Sequence, residues 1–280
     1  MMTLDELIIR IKFLIKMHKR LNLKAPSTFN EKLQWLKLHD RRPEYSRMVD
    51  KVEAKKWAEE ILGPGHIIPD IAVYDSIREV PWESLPERFV MKCAHDSGGV
   101  AVCGNRAAFD VRKARRRLSR RSRKNYYHIT QEWPYKSVRP RILVEEFLSD
   151  GDPGGLRDYK FFCFGGRVHS VMICVDRGIG DPKFYFFDRE WNLLRLNIRG
   201  KQAPEGFTVS KPEGIDEMFS FAERLSAGIP FARVDLYNVS GKIYFGELTL
   251  YPKSGYDSNL LPETDDLFGS LLSLDSLQSK

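Results

Sequence analysis

The sequence predicts an α+β fold in which helices gather early and antiparallel sheet dominates later. Three observations lead there. Apolar residues recur at helical spacing near the N-terminus; strand-like runs from Arg141 onward are joined by glycine-containing turns; and the last third carries Arg233-Val-Asp235, a glycine turn, then Gly246-Glu247-Leu-Thr249-Leu-Tyr-Pro252-Lys-Ser-Gly255.

Each element has its own signal. Across residues 3–20, Leu4, Leu7, Ile8, Ile11, Leu14 and Ile15 share a helical face, with Lys12, Lys16, Lys19 and Arg20 among the polar positions and Thr3 and Glu6 as a capping box. Thr28 and Glu31 open a second helix through Leu38, anchored by Phe29, Leu33, Trp35 and Leu36. Asp50 caps a third over 51–62, ended by Gly63-Pro64-Gly65. Residues 67–74 and 88–94 read as strands, the latter running into His95-Asp96-Ser97-Gly98-Gly99 and then Val100-Ala-Val-Cys103. A basic helix follows, with Arg112-Lys113, Arg115-Arg116-Arg117, Arg120-Arg121 and Arg123-Lys124. Strands are expected over 141–148, 157–164, 167–175, 184–187 and 191–196, and a helix over 212–227 carries Ile215, Met218, Phe219, Ala222 and Leu225 on one face. Composition shifts place boundaries near 63–65 and 138–141. The expected division is an N-terminal helical segment 1–49, a first subdomain 50–140, a second 141–262, and a helix or tail 263–280.

Composition excludes several classes. No run reaches the ~20 apolar residues of a membrane span, and the N-terminus lacks the pattern of a secretory signal, so a cytoplasmic location is expected. Cys93, Cys103, Cys163 and Cys174 lie in apolar strand contexts without CxxC spacing, which suits small core residues rather than disulfides or zinc. His95, Asp96 and Ser97 lack a GxSxG elbow, and neither GxxxxGK[ST] nor a strand-linked GxGxxG is present. The net charge of +7 owes much to the basic helix, which reads as a solvated face or as a surface for an acidic substrate or membrane. No nucleic-acid motif accompanies it. The amphipathic N-terminal helix suits packing on its own domain, a homodimer interface, or peripheral membrane contact at the inner face.

The chemistry concentrates in two places. Asp235 and Glu247 offer hard carboxylate oxygens suited to magnesium, and Arg233 beside them suits a phosphoryl group. Lys92, at the end of a strand before a Gly-Gly turn, matches a lysine that meets phosphate oxygens beneath backbone NH groups.

The ordered series Asp50-Lys51, Phe89-Val-Met-Lys92 with Ser97-Gly98-Gly99, Ile142-Leu-Val-Glu145-Glu146-Phe147-Leu148, Arg233-Val-Asp235 and Glu247-Leu-Thr249 with Pro252 and Gly255 resembles the ATP-grasp superfamily. More narrowly, Phe29-Asn30-Glu31-Lys32-Leu33-Gln34-Trp35-Leu36 ahead of Tyr45 and Val49-Asp50-Lys51, with Lys92-Cys93-Ala94-His95, resembles the TupA-like ATP-grasp proteins of bacterial surface-polysaccharide biosynthesis, which often carry a glycosyltransferase label. The resemblance implies a nucleotide held between two α+β subdomains with largely antiparallel sheets, and ATP and Mg2+ as cofactors. It implies Lys51 and Lys92 on the phosphates, Ser97, Gly98 and Gly99 as a flap, Glu145 and the backbone of Glu146, Phe147 and Leu148 at adenine, and Asp152 at the ribose. Asp235 and Glu247 are then the metal ligands, joined by Thr249 where the family usually has asparagine or another strong oxygen ligand, and Arg233 with Lys92 stabilises the transferring group. Arg157, Lys160, Arg177, Lys183, Lys211 and Lys253 are candidates for an acidic sugar or amino-acid substrate, which could be part of a lipid-linked glycan. The implied activity is a carboxylate–amine ligase acting through an acyl phosphate; a glycan kinase and a glycosyltransferase are the alternatives.

Overall fold

The computed structural model describes residues 2–152, 155–176 and 180–278. In chain order the helices are α1 (Leu4–Met17), α2 (Phe29–His39), α3 (Glu44–Val49), α4 (Glu53–Leu62), α5 (Val111–Ser122), α6 (Tyr126–Thr130), α7 (Ile198–Gln202), α8 (Ile215–Ser226), α9 (Pro262–Leu271) and α10 (Asp275–Gln278). The strands are β1 (Asp70–Tyr74), β2 (Phe89–Cys93), β3 (Val100–Cys103), β4 (Ile142–Glu146), β5 (Asp158–Phe164), β6 (Arg167–Val175), β7 (Lys183–Phe187), β8 (Leu193–Leu194), β9 (Phe231–Val239) and β10 (Lys242–Thr249). They form two antiparallel sheets, ordered β1-β4-β2-β3 and β10-β9-β5-β6-β7-β8. The α+β architecture is the one the sequence predicts.

The chain divides into one unit of residues 1–41 with 150–280 and another of residues 42–149. The division falls after β4, not at 140/141, because β4 pairs on one edge with β1 and on the other with β2. The first two helices belong with the C-terminal residues, where α2 lies against α9. Local starts also shift. The Asp50 carboxylate accepts the Val52 amide at 3.0 Å, which makes a turn ahead of α4 and delays the helix to Glu53. Thr28 and Glu31 do form a capping box on α2.

In the unit of residues 42–149, Phe89, Met91 and Cys93 alternate onto one face of the sheet and bury with Ala114 and Leu118 of α5. The other face carries Lys92, Leu143 and Glu145, and Leu143 packs with Val52 and Ala94.

The six-stranded sheet of the second unit has an apolar face and a mixed face. Phe161 meets Phe219 of α8 edge-on at 5.2 Å, and the Cys163 thiol reaches the Ala222 carbonyl, so α8 covers the first face. On the second face Phe162, Phe164 and Phe231 join Phe29 of α2 and Phe268 of α9 in an aromatic cluster, with ring centroids 4.8 Å apart for Phe29 and Phe231. Two residues further along β5 and β9, the same face becomes charged.

All four cysteines are buried, and burial pushes the Cys93 and Cys163 thiols up to about 12. Such thiols are core groups and not nucleophiles at neutral pH. Burial likewise holds His39, His95 and His169 below the ordinary 6.5. Groups that resist protonation only when folded contribute stability that is fully present above about pH 6.5 and is lost as the pH falls from there toward the lowered folded values. The melting temperature is expected to drop between about pH 7.5 and about pH 5.5. His169 sits edge-on between Phe164 and Phe268, so His169→Phe should shrink that drop; an equal drop in the variant would remove His169 from this account.

Candidate active site

The charged end of the six-stranded sheet is built by register. Across the strands, Glu247 stands opposite Asp235, Asp235 opposite Lys160, and Lys160 opposite Met172, while Thr249 stands opposite Arg233. Directly opposed residues share a face, so acids, cations and hydroxyl collect in adjacent rows. Arg233 Nε donates to Asp235 Oδ1 at 2.6 Å, and its Nη2 donates to Asp235 Oδ2 at 2.8 Å, Glu247 Oε1 at 3.1 Å and Thr249 Oγ1 at 3.1 Å. Lys160 bonds both Asp235 Oδ2 and Asp158 Oδ2, the latter at 2.6 Å. Burial opposes the Lys160 ammonium, but Asp235 and Asp158 raise its pKa above the ordinary lysine value. For Asp235, burial pushes the carboxyl up against the opposing pull of Arg233 and Lys160.

A single irregularity makes this arrangement. From Lys242 to Phe245 the pairing of β10 with β9 runs in one register, and a bulge then shifts it so that Glu247 faces Asp235. Without the shift Glu247 would stand opposite Val234 and point to the α8 side. Gly246 permits the bulge, since a Cβ there would lie 2.9 Å from the Asp235 carbonyl oxygen and 3.0 Å from the Tyr237 ring. Gly246→Ala should therefore cost about 1–3 kcal/mol by overpacking and disturb the acids on both sides. Thermal melts and ATP turnover would test this, and wild-type values for both would show that the methyl is accommodated.

The four-stranded sheet holds a second cluster. Glu145, 3% exposed, receives Lys55 on Oε1 at 2.9 Å and Lys92 on Oε2; Lys55 also bonds Asp70. Burial works against its charge, yet the Lys92 and Lys55 ammoniums hold the Glu145 carboxyl below the usual carboxylate range. The glycine loop is fastened rather than loose. Arg121 clasps the buried Asp96 through two bonds of 2.6 Å and also donates to the Ser97 carbonyl, Arg117 donates to the Gly98 carbonyl at 2.9 Å, and Lys51 donates to the Asp96 carbonyl at 2.6 Å. Gly99 must be small, because a Cβ would lie 2.7 Å from Asp96 Oδ2. The basic helix keeps the solvated face its sequence predicts, with every basic residue but Arg121 exposed, while Arg117 and Arg121 also reach back to the glycine loop. His95 bonds the Ser122 carbonyl at 3.2 Å and Asp96 is taken by Arg121, so these neighbours make no triad.

Most of the other expected residues have partners within the chain. The Glu146 amide, assigned to adenine, donates to the Pro69 carbonyl at 3.0 Å, and Phe147 lies under the Arg88 guanidinium at 4.2 Å, with Leu148 beyond the strand end. Asp152 lies 3.6 Å from Arg157, which also bonds Ser210. Lys183 pairs with Asp176 at 2.9 Å, Lys211 is exposed, and Arg177 lies outside the described residues. Lys160, expected at the substrate, sits between Asp158 and Asp235.

Sequence reasoning missed Lys55, Asp70, Arg117, Arg121 and Asp158. Lys55 had one available signal, its position four residues beyond Lys51. It also left the Phe29–Leu36 motif without a task. Gln34 donates to the carbonyls of Ser254 and Gly255 at 3.0 and 2.6 Å, Lys37 donates to Ser254 at 2.7 Å, and Asn30 accepts the Asp257 amide at 2.8 Å. These side chains, 0% exposed, hold the segment that follows β10, where Lys253 and Ser254 adopt left-handed backbone angles that cost energy outside glycine.

Among the described residues, no group of three or more His, Cys, Asp or Glu side chains is placed to hold a metal ion. The donor chemistry nevertheless fits magnesium. Oxygens of Asp235, Glu247 and Thr249 already converge on one cationic nitrogen of Arg233, and magnesium commonly takes one or two carboxylates with substrate phosphates and water completing its shell.

Two antiparallel sheets, one bearing convergent acids beside an arginine and the other a strand-end lysine before a glycine loop, define a protein of the ATP-grasp class, whose cofactors are ATP and Mg2+. The family model described as TupA-like ATPgrasp matches residues 31–273, and the chain belongs to that family. Among solved structures, the chain is similar to D-alanine–D-alanine ligase from Helicobacter pylori, with 12% identity and a TM-score of 0.45 over 89% of this chain and 68% of that one. It is similar to the Bacillus anthracis D-alanine–D-alanine ligase complexed with ATP at 13% identity and a TM-score of 0.43, over 92% and 72% of the two chains. The ATP-grasp ligase PsnB, complexed with minimal precursor, Mg and ADP, shares 9% identity and a TM-score of 0.42 over 86% of this chain and 64% of its own, so the match spans less than two thirds of PsnB. The search of curated proteins found no match.

Proposed function

We propose that the chain is an ADP-forming carboxylate–amine ligase that modifies a surface-polysaccharide precursor. The observation that carries this reading is the convergence of Asp235, Glu247 and Thr249 on Arg233, in the same sheet rows as Lys160. A carboxylate oxygen of the substrate attacks the γ-phosphorus of ATP, the bond to the ADP oxygen breaks, and an acyl phosphate forms. An amine then attacks the acyl carbon, inorganic phosphate leaves with the bonding pair, and the nitrogen loses a proton to give the amide. Magnesium bound by Asp235, Glu247 and Thr249 would neutralise phosphate charge. Arg233 and Lys92 each rest on carboxylates in this structure, so nucleotide binding exchanges a carboxylate partner for a phosphoryl oxygen of like charge.

A cavity in the unit of residues 1–41 and 150–280 supports an acceptor site. It measures about 270 Å³ and is lined by Met172, Phe184, Phe186, Lys253, Asp257 and Leu260, among others. Met172 stands opposite Lys160 and Phe186 opposite Met172, so the cavity floor continues the row of Asp235, about two strand spacings or ~10 Å away. Burial raises the pKa of Asp257, with Lys253 and Arg233 opposing, so this carboxylate feels both a cavity lysine and the phosphate-site arginine. An apolar floor with two cations, Arg199 and Lys253, and one carboxylate, Asp257, suits an amino-acid or sugar-acid substrate.

The test is ADP formation from Mg-ATP with pooled uronates and amino acids, with hydroxylamine present to trap an acyl phosphate as hydroxamate. Hydroxamate that disappears in Glu247→Gln supports the ligase. ADP with a stable phosphorylated sugar would make the protein a kinase, and failure to bind ATP would overturn the reading.

A further inference from the structure

We infer that α1 docks the protein on a membrane surface bearing anionic headgroups. The helix has two apolar faces. Its narrow face, Ile9 and Phe13, is buried with Leu21 and Tyr256 and fixes the helix to its own unit. The wider face, Leu4, Leu7, Ile11, Leu14 and Ile15, points outward with each side chain 40 to 71% exposed. These positions recur at three- and four-residue spacing from Leu4 to Ile15, a stripe of about 17 Å. Packing within the chain therefore accounts for the smaller face and leaves the larger one in water, which is unfavourable unless something covers it.

Charge selects the occupant. Residues 1–24 carry Arg10, Lys12, Lys16, Lys19, Arg20 and Lys24 against only Asp5 and Glu6. Both acids are engaged within the chain, Glu6 by Arg10 at 2.9 Å and Asp5 by Arg41 at 3.5 Å. Lys12 lies beside the stripe, and Lys19, Arg20 and Lys24, past the C-terminal end of the helix, are exposed. An apolar stripe with a basic border matches an interfacial helix on anionic lipid. A second copy of the chain fits less well, because antiparallel two-fold packing of the stripe would set the Lys12 edge against its own copy. No helix among the described residues is long and apolar enough to cross a membrane, so the contact is peripheral.

The test is co-sedimentation of the whole protein with vesicles of phosphatidylcholine alone or mixed with phosphatidylglycerol, at low and high salt. Binding only to the mixed vesicles, weakened by salt and reduced at least about tenfold in Leu7→Gln/Ile11→Gln/Leu14→Gln, is expected. Gln is a good helix former and the three sites are exposed, so the variant should keep its melting temperature. A second variant, Lys19→Gln/Arg20→Gln/Lys24→Gln, should lose the preference for anionic vesicles. Equal binding by wild type and the apolar variant would overturn the inference, as would no binding to the mixed vesicles. A wild-type dimer that the apolar variant converts to monomer, without vesicle binding, would assign the face to self-association instead.

Discussion

Asp235→Asn is expected to abolish ATP turnover and to destabilise the protein by about 3–5 kcal/mol, the range for removing one partner of a buried charge pair. Asp235 is 2% exposed and holds both Arg233 and Lys160, so its neutral replacement leaves two cations sharing the remaining acids. Glu247→Gln should abolish turnover equally, but its side chain is 42% exposed and screened by water, so the stability cost should stay within about 1 kcal/mol. Denaturant titration and ATP turnover on both variants check this. Turnover surviving in Asp235→Asn would remove the cluster from the chemistry, and equal stability losses would contradict the difference in burial.

Glu145→Gln should have the second large effect, again about 3–5 kcal/mol, because Lys55 and Lys92 would then face a neutral amide inside the sheet's second face. The stabilising contribution also has a pH sign. A carboxyl held below its ordinary 4.5 contributes fully above about that pH and loses its contribution as the pH falls through the lower folded value. The combined change Lys55→Met/Lys92→Met/Glu145→Leu removes the buried charges together and leaves Asp70, which is exposed, to water, so it should recover much of the stability while losing ATP affinity. Recovered ATP binding in that variant would show that Lys92 does not serve the nucleotide.

Much of the fold was legible locally. The capping box at Thr28 and Glu31, the hairpin of β5 and β6 around Gly165-Gly166, and the apolar face of α8 are short-range patterns, and they appear where periodicity puts them. The strand of 191–196 shrank to Leu193–Leu194 because Trp191 takes a positive φ in a turn closed by the Asn192 amide on Asp188. Side-chain partners far apart in sequence were not legible. Lys55 and Glu145 are separated by 90 residues, and Asn30 and Asp265 by 235, so no local pattern couples them.

The sequence by itself determined the α+β class, the order of family motifs and the residue types that suit phosphate and magnesium, since these depend on period, turn chemistry and composition. Only the tertiary structure decided which groups face one another. The bulge at Gly246 chooses the face on which Glu247 lies; α5 turns two arginines onto the glycine loop; and α2 spends buried polar side chains on the segment after β10. In each case the deciding quantity is a register or a contact across the fold, and neighbouring residues in the chain do not specify it.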